Sequence, residues 1–168
     1  PFPVQFRSNK IKDIREYYLQ ELKKLYPKQE ATSLLDLLLE GLLNISRTSR
    51  AANPDHRLSE SEILEVHSGV KELKQFRPVQ YILGRTNFYE MELYVDERVL
   101  IPRPETEELI ETVVNAYQAS SPIGVLDIGT GSGCIALALK KSFPSARVWG
   151  LDVSIQALEV AKKNAVSL

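Results

Sequence analysis

The stretch Val125-Leu126-Asp127-Ile128-Gly129-Thr130-Gly131-Ser132-Gly133 constrains the fold more than any other part of the chain. A short apolar run feeds three alternate glycines. A segment that is apolar nearly all round then follows, over residues 134–142. That order predicts a strand, a tight turn and a buried helix. Glycine in such a turn lets the backbone approach a ligand closely, since no Cβ intrudes. The helix start beyond it offers N–H groups that lack intrahelical partners. Pro144 breaks the helix. A second apolar run at 146–151 predicts a strand that Asp152 ends, and Ser154 caps a last helix to about Ser167. Upstream, a helix is expected from about Glu105, with Leu109, Ile110, Val113, Val114 and Tyr117 inward. Residues 105–168 therefore read as the opening βαβα part of an α/β domain with a parallel sheet.

The first part of the chain has a different period. Ile11, Ile14, Tyr18, Leu22 and Leu25 recur at steps of three and four, which predicts an amphipathic helix over 11–26 ended by Pro27. A second helix is expected over about 30–44. Leu34, Leu35, Leu38, Leu42 and Leu43 form its stripe, and Leu37 and Leu39 widen it. A short turn of helix fits 46–51. Asn53-Pro54-Asp55 is a turn. Ser59 with Glu62 three residues on is a capping box, opening a third helix with Ile63, Val66, Val70 and Leu73 inward. Arg77-Pro78 closes it. Residues 1–76 thus read as a helical bundle.

Between these parts, Met91, Leu93 and Val95 alternate with Glu92, Tyr94 and Asp96, which predicts a half-buried strand. Gly84-Arg85-Thr86-Asn87 is the expected turn from an earlier strand. Ile101-Pro102-Arg103-Pro104 reads as a stiff link. Residues 77–104 are therefore expected to form a β-hairpin connector.

Charge and composition narrow the function classes. The net charge is −1, with 43% hydrophobic and 26% charged residues. Residues 1–78 carry thirteen basic and eleven acidic side chains, and residues 79–168 carry eight and eleven. Neither part is a strong polycation, so direct nucleic-acid binding is not expected. Cys134 is the one cysteine, which excludes an intrachain disulfide and fits a reducing compartment, the cytoplasm. Pro1-Phe2-Pro3 has no basic and apolar leader pattern, and no apolar run is long enough to span a membrane. His56 and His67 are too isolated for a metal site. Cys134, with no base near it in sequence, reads as a small buried side chain rather than a nucleophile. Glu105, Glu107 and Glu108 open a helix, where acidic groups complement its dipole.

The glycine turn carries the chemistry. A dinucleotide fingerprint needs Gly-x-Gly-x-x-Gly, but here the third glycine comes one residue early and Cys134 takes its place. With Asp127 just before the turn, the spacing fits an S-adenosyl-L-methionine site. The amino-acid end of that cofactor is a zwitterion, suited to a strand-end carboxylate and turn amides. Asp152, nineteen positions after Gly133, is placed to accept hydrogen bonds from both ribose hydroxyls.

Three strings, taken together, resemble the HemK/PrmC family: Pro78-Val79-Gln80-Tyr81-Ile82-Leu83-Gly84, Leu100-Ile101-Pro102-Arg103-Pro104-Glu105-Thr106-Glu107-Glu108-Leu109, and Leu126 to Gly133. The Pro-Arg-Pro-Glu-Thr-Glu string is the most specific of them. The family methylates the side-chain amide of the glutamine in the Gly-Gly-Gln loop of peptide-chain release factors. The resemblance implies a class I, Rossmann-like methyltransferase domain behind a helical substrate-recognition domain. It also implies that Gly129, Thr130, Gly131, Ser132 and Gly133 wrap the methionine part of S-adenosyl-L-methionine. Asp152 would hold the ribose, and Thr106 would lie in a loop flanking the methionine end. The helical domain would grip the release factor.

The family's Asn-Pro-Pro-Tyr motif, which holds the target amide, does not occur in these 168 residues. No catalytic residue is assigned for that reason. The expectation is an N-terminal portion of the enzyme, with a cofactor pocket and no activity of its own. The competing readings are a methyltransferase for another protein amide or amine or for a nucleobase, a nicotinamide-dependent oxidoreductase, and a non-catalytic partner-binding piece. The glycine spacing argues against the oxidoreductase.

Overall fold

The computed structural model describes residues 7–117 and 123–167. The Pro1-Phe2-Pro3 start lies outside them. The chain divides into two compact units, Pro1–Leu83 and Gly84–Leu168. The division falls inside the expected connector.

The first unit is helical: α1 (Ile11–Leu22), α2 (Lys28–Leu43), α3 (Arg47–Ala52), α4 (Glu60–Leu73) and α5 (Val79–Leu83). Its core joins Ile11, Ile14, Tyr18 and Leu22 of α1 to Leu35, Leu38 and Leu39 of α2 and Ile63, Val66, Val70 and Leu73 of α4. These are the i, i+3, i+4 positions read from the sequence, and each fully buried aliphatic side chain contributes about 1.5–3 kcal/mol. The capping box is formed. The Ser59 hydroxyl accepts the Glu62 N–H, while the Glu62 carboxylate accepts the Ser59 N–H at 2.7 Å.

Three expectations for this unit are corrected. The first helix stops at Leu22, and Leu25 is exposed. Leu25 and Tyr26 instead donate their N–H groups to the Leu22 carbonyl in a tight turn, because the residue before Pro27 is kept out of the helical region. Leu37 points outward, so Leu39 alone widens the stripe of α2. Residues 79–83 are helix, not the approach to a hairpin.

A buried ion cluster also holds this unit. Asp36 of α2 takes the Arg15 guanidinium at 2.8 and 3.1 Å and Arg50 at 3.1 Å, and Arg50 donates to the Ile45 carbonyl at 2.7 Å. Asp36 and Arg50 are both buried. Burial acts against the Asp36 charge, but the hydrogen bonds and charges of Arg15, with those of Arg50 and Arg47, outweigh it and hold its carboxyl below the usual carboxylate range.

The second unit starts with a hairpin, β1 (Arg85–Phe88) and β2 (Met91–Tyr94), paired from Arg85↔Tyr94 to Phe88↔Met91. The turn is therefore Tyr89-Glu90, not Gly84–Asn87. Both turn residues have positive φ, 46° and 56°. That is the backbone of a two-residue hairpin turn that normally selects Asn-Gly. Here tertiary bonds hold it. The Glu107 carboxylate accepts the Tyr89 N–H at 2.8 Å, and Lys141 Nζ donates to the Glu90 carbonyl at 3.1 Å.

The unit continues with α6 (Glu105–Ala116), β3 (Gly124–Ile128), α7 (Cys134–Ser142), β4 (Arg147–Leu151) and α8 (Ile155–Ser167). β3 and β4 are parallel neighbours. Phe88, Met91, Leu93, Ile110, Leu139 and Phe143 form the core, with Val125 and Val148 of the sheet packed against it. In α6 only Ile110 is fully buried. Leu109 and Tyr117 are exposed, contrary to their expected inward placement. The other sheet face carries Leu126, Ile128, Trp149 and Leu151, all more than half exposed.

Candidate cofactor site

β3 and β4 run in register from Gly124↔Arg147 to Ile128↔Leu151, so both strands end at one level. The glycine turn sits on those ends. Gly129 and Thr130 each donate an N–H to the Leu151 carbonyl at 2.8 Å, and Gly133 donates to Thr130 at 2.8 Å. Gly129, Gly131 and Gly133 have φ of 79°, 55° and 82°. Those values explain the glycine at every second position, since other residues adopt them at a cost. A Cβ placed on Gly129 would meet nothing within 4 Å, so space lies open over the backbone there.

The predicted site residues come together except for one. Thr130 donates its hydroxyl to Asp127 Oδ2 at 2.7 Å. Gly131 donates its N–H to Asp152 Oδ2 at 2.9 Å, and Ser154 donates to Asp152 Oδ1 at 2.9 Å. These two bonds, Ser154 first and Gly131 second, hold the Asp152 carboxyl below its ordinary range. Gly131 and Ser154 thus each hold a different oxygen of Asp152, with a weaker backbone contribution from Val153, and a carboxylate oxygen can accept more than one bond. Ser154 also caps α8, accepting the Ala157 N–H at 3.2 Å. Thr106 stands apart. It lies in the first turn of α6, where its N–H donates to the Arg103 carbonyl at 3.0 Å. Among the described residues no hydrogen bond joins it to the glycine turn.

The donor set differs from the expected one. The N–H groups of Gly129, Thr130, Gly131 and Gly133 are directed to protein acceptors. What the turn region presents is chiefly carboxylate, from Asp127 and Asp152. Burial pushes the Cys134 thiol up, which keeps it protonated and unreactive. His67 is in the helical unit, where its Nδ1 meets the Tyr18 hydroxyl at 2.9 Å.

Two participants escaped the sequence reading. Gly150 lies in β4 beneath Thr130; a Cβ there would come within 2.8 Å of Thr130 Oγ1. Only glycine lets the buried Thr130 sit against the strand. Asn164 of α8 is buried, and its amide donates to the Ser132 carbonyl at 2.9 Å. The available signal was its spacing, for Asn164 continues the buried series Ala157 and Val160. A polar residue on an apolar stripe is worth questioning.

A glycine turn over parallel strand ends, with an acidic residue closing the second strand, places the second unit among the class I, Rossmann-like methyltransferase domains, here in part. Residues 125–168 match a methyltransferase domain family, and residues 13–84 match the PrmC N-terminal domain. The release factor glutamine methyltransferase of Flavobacterium psychrophilum is 41% identical over 159 residues, 93% of this chain and 56% of that protein. The protein of the same name from Chlorobaculum tepidum is 44% identical over 136 residues, 77% of this chain and 46% of that protein. A bifunctional methyltransferase of Rickettsia bellii is 31% identical, covering 97% of this chain and 33% of that protein. The chain belongs to the HemK/PrmC family of methyltransferases. It spans about half the length of the first two of these relatives. No helix among the described residues is long and apolar enough to cross a membrane.

Proposed function

We propose that this chain supplies the cofactor site and the substrate-gripping helical domain of an S-adenosyl-L-methionine-dependent methyltransferase acting on the glutamine side-chain amide of the Gly-Gly-Gln loop of a peptide-chain release factor, in the cytoplasm. The observation that carries the reading is the carboxylate-lined glycine turn. Asp152 keeps acceptor capacity on both oxygens for a pair of ribose hydroxyls. Asp127, beside the turn, suits the ammonium of an amino-acid tail, and the open space over Gly129 admits a ligand to the backbone. In this reading Gly129 to Gly133 wrap the methionine part, while Thr106 flanks it without belonging to the hydrogen-bonded cluster. The bound cofactor would supply a methyl group on a sulfonium.

An amide nitrogen is a poor nucleophile, because its lone pair is delocalised into the carbonyl. Methyl transfer therefore depends on placement of that nitrogen, which is where much of the acceleration arises. The 168 residues contain no Asn-Pro-Pro-Tyr to do this. On this reading they bind the cofactor and grip the partner but do not methylate alone. A different methyl acceptor is the second reading, favoured by the similarity to a protein described only as a bifunctional methyltransferase. The test is mass spectrometry of a release factor incubated with the full-length protein and isotopically labelled cofactor. A labelled methyl on the Gly-Gly-Gln glutamine is expected. A modified release factor with that glutamine untouched would overturn the substrate assignment, as would no modification at all.

A further inference from the structure

Asn164 occupies an unusual position. It lies in the last turn of α8, is only 2% exposed, and every hydrogen bond of its side-chain amide goes to backbone. Oδ1 accepts the Tyr94 N–H at 2.7 Å, and Nδ2 donates to the Tyr94 carbonyl at 3.0 Å and to the Ser132 carbonyl at 2.9 Å. The hairpin register explains the first two bonds. The N–H of Val95 turns toward β1, donating to the Gly84 carbonyl. Neighbouring residues of a strand face opposite ways, so the N–H and C=O of Tyr94 face away from β1. They would be orphaned edge groups. The Asn164 amide pairs with both as a peptide group of a third strand would. Its remaining N–H then reaches the Ser132 carbonyl within the glycine turn.

We infer that Asn164 is a positioning residue for the cofactor turn: it fixes the Ser132 carbonyl to the edge of β2 and so couples the hairpin to cofactor binding. This rests on the reading of the glycine turn as the S-adenosyl-L-methionine site. Gly131 and Gly133 flank Ser132 and have backbones that glycine alone leaves unrestrained, so the turn needs an external anchor to hold one shape. The anchor to Asp152 is on Gly131, and the anchor to Asn164 is on the next residue. Asn164 itself touches no ligand in this scheme.

The test uses the full-length protein and measures S-adenosyl-L-methionine affinity by calorimetry, melting temperature, and amide exchange at Tyr94 with and without cofactor. Asn164→Ala leaves three backbone groups without their partner and is expected to weaken binding by about tenfold. Asn164→Asp keeps an acceptor for the Tyr94 N–H but sets a carboxylate oxygen against two carbonyls, and the same loss is expected. Lys163→Met is the control. It removes the ammonium lying 3.1 Å over the Tyr94 ring while leaving the Asn164 bonds in place, and affinity should hold. In the unaltered protein, cofactor should slow exchange of the Tyr94 amide, a measurement independent of whether any variant folds. A folded Asn164 variant with unchanged affinity overturns the inference. So does equal weakening by Lys163→Met, or a Tyr94 amide indifferent to cofactor. If the unaltered protein binds no cofactor, it is the reading of the site itself that fails.

Discussion

In the proposed site, one side chain, Asp152, would serve the turn and the ligand together. Its oxygens already hold Gly131 and Ser154, so Asp152→Ala removes a support of the turn and, in the proposed site, the ribose contact as well. Charge-assisted hydrogen bonds contribute roughly 1.5–3 kcal/mol each. Affinity for S-adenosyl-L-methionine should therefore fall at least tenfold by calorimetry, and unchanged binding would remove Asp152 from the site. Asp36 offers a test by pH. Its folded carboxyl titrates below the ordinary value, so its contribution is complete at neutral pH and disappears as pH falls through that lowered value. Asp36→Asn removes the charge that Arg50 and Arg15 need. Losing one partner of a buried pair costs about 3–5 kcal/mol. The stability gap between the native protein and Asp36→Asn should be widest near neutrality and should close as pH falls from about 4, where an ordinary aspartate is half protonated, through the lowered folded value. A gap independent of pH would show that packing, not charge, makes residue 36 important. The place of Asp152 could be read from sequence because it directly follows a strand at a fixed spacing from the turn. Asp36 could not, since its partners Arg15 and Arg50 meet only through the packing of three helices.

At the scale of elements, legibility followed how local the determinants are. The capping box of α4 and the strand–turn–helix at Asp127–Cys134 depend on neighbours in sequence, and both stand where the pattern placed them. The hairpin turn did not, because nothing local selects it. Tyr89 and Glu90 adopt left-handed backbones that L-residues disfavour by about 1–2 kcal/mol each. Glu107 and Lys141, eighteen and fifty-one positions away, hold them there. The sequence places Glu107 in the first turn of a helix, and no local pattern there points to the distant Tyr89 N–H that it holds. Leu109 failed for a related reason: periodicity gives a stripe but not how much of the stripe a neighbouring element covers. The strained turn yields its own expectation. Glu90→Gly relieves the positive φ while keeping the backbone carbonyl that Lys141 holds. The carboxylate it removes is nearly fully exposed, so its ion pair with Lys141 matters little. Thermal unfolding of the α/β unit should shift upward, by about 1 kcal/mol. A shift downward would mean that the Glu90 side chain matters more than its backbone.

On the scale of the whole chain, the two units differ in how they meet solvent. In the helical unit the apolar stripes of α1, α2 and α4 close on one another, leaving Ile14, Leu22, Leu35, Leu38 and Leu73 fully covered. In the α/β unit, Val125 and Val148 face the core, but Leu126, Ile128, Trp149 and Leu151 line a bare face, with Ile128 78% exposed. Among the described residues β3 pairs only with β4, so its other edge carries no ladder. Parallel sheets are stable when both faces are covered, and open apolar edges recruit other chains. Helical contacts are local by comparison and need no such cover. A polypeptide of these 168 residues should therefore show slow amide exchange in α1, α2 and α4 and much faster exchange in residues 124–128 and 147–151. Light scattering should detect self-association that rises with concentration, and Trp149→Lys should suppress it by placing a charge on the bare face without touching the glycine turn's hydrogen bonds. Slow exchange of both strands in a strictly monomeric sample would contradict this, because it would require two strands with one uncovered face to hold against solvent as firmly as the closed helical core.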